Sequence, residues 1–130
     1  MTPKTNTYLV VRAVTSLQSP SSPHGAPMFY LVEVLIDLEV ADQWHAWMKD
    51  DHIPDVVATG CFEKAWMTRQ PERDTDRRRA YRMLYRAKSR EDFERYQSDF
   101  AAELQKDHTS RFEGRFEASR ELLDIIAEVD

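Results

Sequence analysis

The residue types around His52 could transfer protons. His52 lies between Asp51 and Asp55 in the stretch DDHIPD. An imidazole with an ordinary pKa of about 6.5 can accept and donate protons at neutral pH, and either neighbouring carboxylate could orient its ring. A structural role is the alternative, because a histidine at a helix end interacts favourably with the helix dipole. The spacing alone leaves both roles open.

Glu33 is a second candidate for chemistry, because it interrupts the otherwise apolar stretch FYLVEVLIDL. A buried carboxylate without a partner is costly. We therefore expect Glu33 either to pair with a base such as Arg82 or Arg86, or to face a water-filled cleft in which it acts together with His52. The candidate catalytic residues are His52, Glu33 and Asp55.

Aromatic side chains near these residues could line a ligand pocket. Trp44 and Trp47 are three residues apart, and a tryptophan on the apolar stripe of a helix usually belongs to the core, which we expect for Trp44. Trp47 is the better candidate for the edge of a cavity. Trp66 is predicted to face the open side of the sheet, as Lys64 does. The candidate ligand-binding residues are Trp47, Trp66, Tyr85 and Asp51.

Other kinds of site are disfavoured. Pro54 disturbs the helix that carries His45 and His52, and the sequence has neither a His-x-x-x-His motif nor a carboxylate facial triad, so no metal site is predicted. Cys61 has no evident basic partner and is expected to be buried and inert. The three glycines are isolated, so we predict no phosphate-binding loop and no cofactor.

The composition is that of a single ordinary domain. The chain has 130 residues and a net charge of −5, and this length suits one domain with a sizeable core. Nucleic-acid binders usually carry a basic surplus, so the acidic balance argues against such a partner. No apolar run approaches the roughly 18 residues that span a bilayer, and the first residues do not resemble a secretory signal. We expect a cytoplasmic protein without a membrane partner.

Two segments differ in composition. Residues 1–27 contain the Ser/Pro-rich stretch LQSPSSPHGAP and are predicted to be an extension or linker, with TYLVVRAV as a possible extra strand. Residues 28–130 carry regular patterns and are predicted to form one domain.

The patterned segment predicts six elements. The first strand is expected at 29–38, and a helix at 40–59 that is kinked or restarted at Pro54 and stopped by Gly60. Two further strands follow at 61–70 and 80–87. Ser89 caps a second helix, whose apolar stripe is Phe93, Tyr96, Phe100 and Leu104. The last strand is expected within 111–126, with a short helical tail from about Arg120.

The order β-α-β-β-α-β predicts an α+β, ferredoxin-like fold with a four-stranded antiparallel sheet and helices on one face. The first strand is apolar on both sides, so the second face of the sheet needs cover as well. The commonest cover in this fold is a second copy of the chain. The expected assembly is a homodimer, a dimeric α/β barrel.

Several separated motifs occur in order between residues 28 and 123. They are the Trp-x-x-Trp-Met helix, the His-Ile-Pro-Asp turn, the Ala-Thr-Gly-Cys-Phe step and the terminal strand RFEGRFEASR. With these motifs the chain resembles a family of small bacterial ferredoxin-like proteins of unassigned function. More distantly, the layout WHAWMKDDHIP is similar to that of the dimeric α/β-barrel superfamily, which includes antibiotic-biosynthesis monooxygenases. The resemblance implies that His52 faces a cleft between sheet and helices.

These observations favour a dimeric protein that binds a small aromatic or polyketide-like molecule in a cleft by His52. The expected reaction class is cofactor-free oxygenation or isomerisation. The alternative is a non-catalytic interaction or regulatory module that also acts as a homodimer. The first hypothesis predicts a cavity of roughly several hundred cubic ångströms that touches His52. The second predicts an exposed His52 and no such cavity.

Overall fold

The computed structural model describes residues 25–130. The predicted N-terminal extension, residues 1–27, therefore lies outside the described residues except for its last three. The suggested extra strand in TYLVVRAV falls entirely outside them.

A four-stranded antiparallel sheet forms one layer of the fold. Its spatial order is β2-β3-β1-β4, with β1 at the centre and every paired strand antiparallel to its neighbour. This order confirms the predicted ferredoxin-like fold. The strands are β1 (Met28–Asp37), β2 (Phe62–Arg69), β3 (Arg78–Ala87) and β4 (Phe116–Asp124).

The segment between β1 and β2 is an interrupted helix. A 3-10 turn (Leu38–Val40) leads into α1 (Ala41–Trp47), a π-helical turn (Met48–His52) and α2 (Ile53–Ala58). Pro54 lies in the first turn of α2, where its missing N–H leaves no helical hydrogen bond unmade. The predicted kink or restart at Pro54 takes the form of a change from π-helical to α-helical hydrogen bonding at Ile53, and the backbone stays in the αR region there. Gly60, with a φ of 82°, terminates the segment as predicted.

The helical layer is completed by α3 (Arg90–Asp99) and α4 (Ala101–Arg111). The Oγ of Ser89 accepts a hydrogen bond from the Asp92 backbone N–H at 3.1 Å, which confirms the predicted cap. The second helix was expected to be continuous. Instead it is divided at Phe100, whose φ of −129° is outside the helical range.

The predicted helical tail from Arg120 is wrong. Arg111 belongs to α4, a turn with Gly114 at a φ of 76° follows, and β4 continues to Asp124 without a helix. The physical reason is the length of β1. Its pairing with β4 runs from Ile36 opposite Phe116 to Met28 opposite Asp124, and this satisfies the backbone groups that a helix would otherwise satisfy internally.

The sheet has two different faces. The inner face is covered by the helices, and its side chains Tyr30, Val34 and Ile36 are buried. The opposite side, called here the outer face, carries the side chains of Phe29, Leu31, Glu33 and Leu35, because residues alternate along a strand. Trp44 of α1 is fully buried against the inner face, as predicted for a core residue.

Candidate functional site

His52 is the last residue of the π-helical turn and is 9% exposed. Its ring packs on the indole of Trp47, with centroids 4.9 Å apart. Its Nδ1 is buried and has no hydrogen-bond partner among residues 25–130. A buried polar atom without a partner costs about 1–3 kcal/mol, and π-helical turns often occur at functional sites. This position therefore favours a role in binding or catalysis over that of an exposed helix cap.

His108 of α4 lies beside His52, with ring centroids 5.7 Å apart. Its Nε2 accepts a hydrogen bond of 2.9 Å from the Nε1–H of the buried Trp44. Because an acceptor nitrogen carries no proton, the neutral His108 ring must hold its proton on Nδ1. Trp44 thus fixes both the tautomer and the orientation of His108.

Arg120 brings a positive charge to the same place. It lies opposite Val32 in the β1–β4 register, in the inward-facing row of β4. Its Nε and Nη1 atoms are buried and have no hydrogen-bond partner among the described residues. The neighbouring members of this row, Ala118 and Leu122, are apolar.

These three side chains line a cavity between the sheet and the helices, called here the inner cavity. Its volume is about 30 Å³, which is room for about one water molecule. The cavity touches His52 as expected, but the expected volume of several hundred cubic ångströms is wrong. The polar side chains in its lining are Tyr30, His52, Tyr85, Tyr96, Gln105, His108 and Arg120.

Burial controls the charges in the inner cavity. It lowers the pKa of His52 to about 4, and Asp107 and Asp55 only partly oppose this effect. Burial also lowers the pKa of His108 to about 3, and His52 and Arg120 add to the effect. The pKa values of Tyr85 and Tyr96 are raised by burial. At neutral pH the imidazoles are therefore neutral and these two phenols protonated.

Two of the candidate ligand-binding residues lie close to His52. Tyr85 lines the inner cavity itself. Trp47 packs on His52 from the other side and also lines an open surface depression of about 490 Å³. The Arg111 guanidinium lies 4.8 Å from the centre of the Trp47 ring. Asp51 is exposed and lines the depression, not the cavity.

Glu33 lies on the outer face, so the sheet separates it from His52. Its Oε2 is 3.5 Å from Nη1 of Arg73, and the Ser119 hydroxyl donates to its Oε1 at 3.4 Å. The expected pairing with Arg82 or Arg86 is therefore replaced by Arg73. The expected joint action of Glu33 and His52 has no geometric basis within one protomer, because successive residues of a strand point to opposite faces.

Trp66 and Asp55 also lie away from the inner cavity. Trp66 is 37% exposed on the outer face. The centre of its ring lies 6.0 Å from the centre of the Phe29 ring and 5.4 Å from Nζ of Lys64. It faces the open side of the sheet as predicted. Asp55 is exposed on α2, and neither it nor Asp51 hydrogen-bonds to Nδ1 of His52.

Sequence reasoning missed two residues of the site, His108 and Arg120. The signal for His108 was the apolar stripe of the predicted second helix, because His108 lies four residues beyond Leu104, the last residue of that stripe. The signal for Arg120 was the alternation in β4, where Phe116, Ala118 and Leu122 form an inward row that one charged residue interrupts. Because a helical tail was wrongly expected from Arg120, the predicted strand ended before Arg120 and Leu122 could be assigned to this row.

Residues 25–130 show neither a metal-binding cluster nor a membrane-spanning helix. They contain no group of three or more His, Cys, Asp or Glu side chains able to hold a metal ion. None of the helices in this part of the chain has the length and apolar character needed to cross a membrane.

The sequence was then compared with protein families. The model of the family described as "Domain of unknown function (DUF4286)" matches residues 28–126. The chain belongs to this family. The expected membership of a family without an assigned function is thereby confirmed. No curated protein has a significantly matching sequence.

Solved structures of similar fold come from several sources. A dimeric ferredoxin-like protein from an uncultured marine organism is 14% identical, with a TM-score of 0.56 over 79% of this chain and 99% of that one. HapK from Hahella chejuensis is 10% identical, with a TM-score of 0.60 over 79% and 96%. A putative antibiotic biosynthesis monooxygenase from Bacteroides thetaiotaomicron is 13% identical, with a TM-score of 0.55 over 82% and 94%. At these identities the similarity establishes the fold alone.

Proposed function

We propose that this DUF4286 protein binds a small aromatic or polyketide-like molecule between the sheet and the helices. The observation that carries the proposal is the buried Nδ1 of His52 at the edge of a polar cavity, which has no hydrogen-bond partner among residues 25–130. Such an atom loses its hydrogen bonds on folding and regains one when a ligand binds. The surrounding tyrosines and Trp47 supply the aromatic walls that a flat molecule requires.

The inner cavity must open to admit a ligand of that size. Trp47 packs on His52 and also lines the surface depression, so its indole lies between the depression and the cavity. In the proposed complex the Trp47 side chain moves outward and joins the two spaces. Side-chain and loop movements of this kind commonly control access to buried sites.

His52 would then contact the ligand directly. A neutral imidazole has one nitrogen that donates a hydrogen bond and one that accepts. In the proposed reaction His52 polarises a ligand carbonyl or takes a proton from an adjacent carbon. Isomerisation would return that proton to a different atom of the substrate, while oxygenation would consume molecular oxygen. Neither reaction class requires a bound cofactor in this proposal.

Calorimetric titration with 2-naphthol tests the binding step. The wild-type protein is expected to bind the probe, and His52→Phe, which keeps an aromatic ring but removes both nitrogens, is expected to weaken binding at least about tenfold. His45→Phe is the matched control, because His45 contacts the Tyr81 hydroxyl and does not line the cavity. Equal binding by all three folded proteins would remove His52 from the site.

A second candidate function is supported by the outer face. Trp66 and Leu123 are 37% and 46% exposed there, and exposed apolar patches on a sheet commonly mark an interface between proteins. In this hypothesis the chain is a homodimeric interaction or regulatory module that catalyses no reaction. The homodimer is common to both candidates, so the two differ only in whether a ligand enters the inner cavity.

Sedimentation velocity tests the proposed homodimer. The wild-type chain is expected to sediment as a dimer, and Leu123→Glu as a monomer, because two carboxylates would be buried at the interface. Glu91→Gln on exposed α3 is a control that should leave the dimer intact. A monomeric wild type would rule out the homodimer and leave the outer face without its proposed partner.

A further inference from the structure

The inner cavity contains a positive charge that no carboxylate of its described lining balances. Arg120 is protonated at any physiological pH. Two of its nitrogens are buried without a partner among the described residues, and none of the described residues that line the cavity is an aspartate or glutamate. Arg120 is only partly buried, but removing two of its nitrogens from water without a partner is unfavourable. The described lining therefore supplies no counter-charge for Arg120.

Among the described residues no carboxylate forms an ion pair with Arg120, and the Asp55 and Asp107 carboxylates that influence His52 do not line the cavity. Residues 1–24 contain neither aspartate nor glutamate, so that segment can supply no carboxylate side chain. A buried arginine elsewhere does have a carboxylate partner: Nη2 of Arg90 lies 2.7 Å from Oδ1 of Asp124, and Arg90 is 4% exposed, whereas Arg120 is only partly buried. In both arginines Nε and Nη1 are buried without a hydrogen-bond partner among the described residues, so the two differ in the carboxylate that contacts Arg90 and not Arg120.

We propose that the inner cavity binds the anionic group of its ligand, with the Arg120 guanidinium as the counter-charge and His52 Nδ1 as a hydrogen-bonding neighbour. The ligand class is an aromatic or conjugated monoanion, which carries a carboxylate, phenolate or enolate oxygen. This inference rests on the proposed small-molecule function and specifies the chemistry of its ligand.

The other cavity groups are compatible with one negative charge. His52 and His108 are neutral, and the proton of His108 is on Nδ1. The phenols of Tyr85 and Tyr96 line the same cavity and can donate hydrogen bonds to an oxyanion. A single arginine balances one charge, and the aromatic walls exclude extensive hydration. These properties favour an aromatic monoanion over inorganic phosphate.

Two probes of the same shape test the proposal. They are 2-naphthoate, which is anionic at neutral pH, and its neutral amide, 2-naphthamide. Calorimetric titration of the wild-type chain is expected to show at least about tenfold tighter binding of the naphthoate, because hydrogen bonds to charged groups are stronger than neutral ones. In Arg120→Gln this preference should fall to near unity, and Arg120→Lys should retain part of it.

The matched control is Lys106→Gln. Lys106 is exposed on α4, two residues before His108, so the variant loses the same charge without touching the cavity. It should keep the full preference for naphthoate. If its preference falls as far as that of Arg120→Gln, the effect is a general one of net charge and the proposal is overturned.

The possible outcomes separate this inference from the proposed function. Equal binding of both probes to the wild type would overturn the anion site and leave the small-molecule function intact. Binding of neither probe would overturn both. If circular dichroism shows that Arg120→Gln does not fold, the comparison of probes on the wild type and on Arg120→Lys still decides the question.

Discussion

The two faces of the sheet differ in how their charges are compensated. On the outer face Glu33 contacts Arg73, and Arg86 lies 2.9 Å from Glu63. On the inner face Arg120 has two buried nitrogens without a partner among the described residues, and the nearby histidines are held neutral by burial. Nε of Arg82 on the outer face is unpartnered too, so an unmet nitrogen alone does not locate the site. The faces differ because carboxylates contact arginines on the outer face, whereas the described lining of the inner cavity contains no carboxylate.

The largest expected effect on the free energy of unfolding comes from removing the carboxylate partner of the buried Arg90, the arginine with which Arg120 is compared. Asp124→Ala removes the carboxylate that contacts Arg90 at 2.7 Å, at a side chain only 10% exposed. Leaving Arg90 buried and unpaired should lower the free energy of unfolding by about 3–5 kcal/mol. Urea denaturation monitored by circular dichroism measures this. A loss below 1 kcal/mol would mean that water already solvates Arg90, which would also weaken the contrast with Arg120.

The next largest effect is a loss of stability as the pH falls, which the buried His52 and His108 cause. Their pKa values of about 4 and about 3 in the folded protein lie below the ordinary 6.5. Protons therefore bind preferentially to the unfolded chain as the pH falls below 6.5, and stability decreases. Each histidine contributes a slope of up to about 1.4 kcal/mol per pH unit, so lowering the pH from 7 to 5 should cost about 2–4 kcal/mol in total.

The measurement is urea denaturation at pH 7, 6 and 5. Asp37 and Asp74, whose pKa values are lowered by arginine partners, affect stability mainly below this range. His52→Phe should reduce the slope by about half, because it removes one of the two titrating rings. An unchanged slope in this variant would show that His52 is not buried in its neutral form.

The smallest effects come from removing a charge on either face. Arg120→Met should raise the free energy of unfolding of the unliganded protein by about 1–2 kcal/mol, because it removes a partly buried guanidinium with two nitrogens that lack a partner among the described residues. Glu33→Gln on the outer face should change it by less than about 1 kcal/mol, as expected for a partly exposed ion pair. Thermal denaturation of both variants without ligand measures the difference. A loss of stability in Arg120→Met would indicate a structural role for Arg120 and would contradict the expected difference between the two faces of the sheet.

Much of the fold could be predicted from local sequence patterns. The alternation in FYLVEVLIDL, the cap at Ser89 and the positions of Pro54 and Gly60 each depend on a few adjacent residues, and the structure confirms them. The break at Phe100 and the full length of β4 were missed. These features depend on pairing and packing between distant parts of the chain, which short-range patterns do not report.

The candidate site was predicted only in part for the same reason. His52, Trp47 and Tyr85 were identified from residue type and spacing. His108 and Arg120 come from α4 and β4, and nothing near them in the sequence indicates that they meet His52. Conversely, joint action of Glu33 with His52 was one of two alternatives for Glu33, and alternation along β1 directs Glu33 to the other face, where it contacts Arg73.

The sequence by itself determined the order of elements, the interrupted first helix and the presence of a histidine within it, because backbone propensity and hydrophobic alternation act over a few residues. Only the tertiary structure decided which charges have partners. Burial, electrostatic compensation and cavity volume are properties of side chains brought together from distant segments, such as His52, His108 and Arg120.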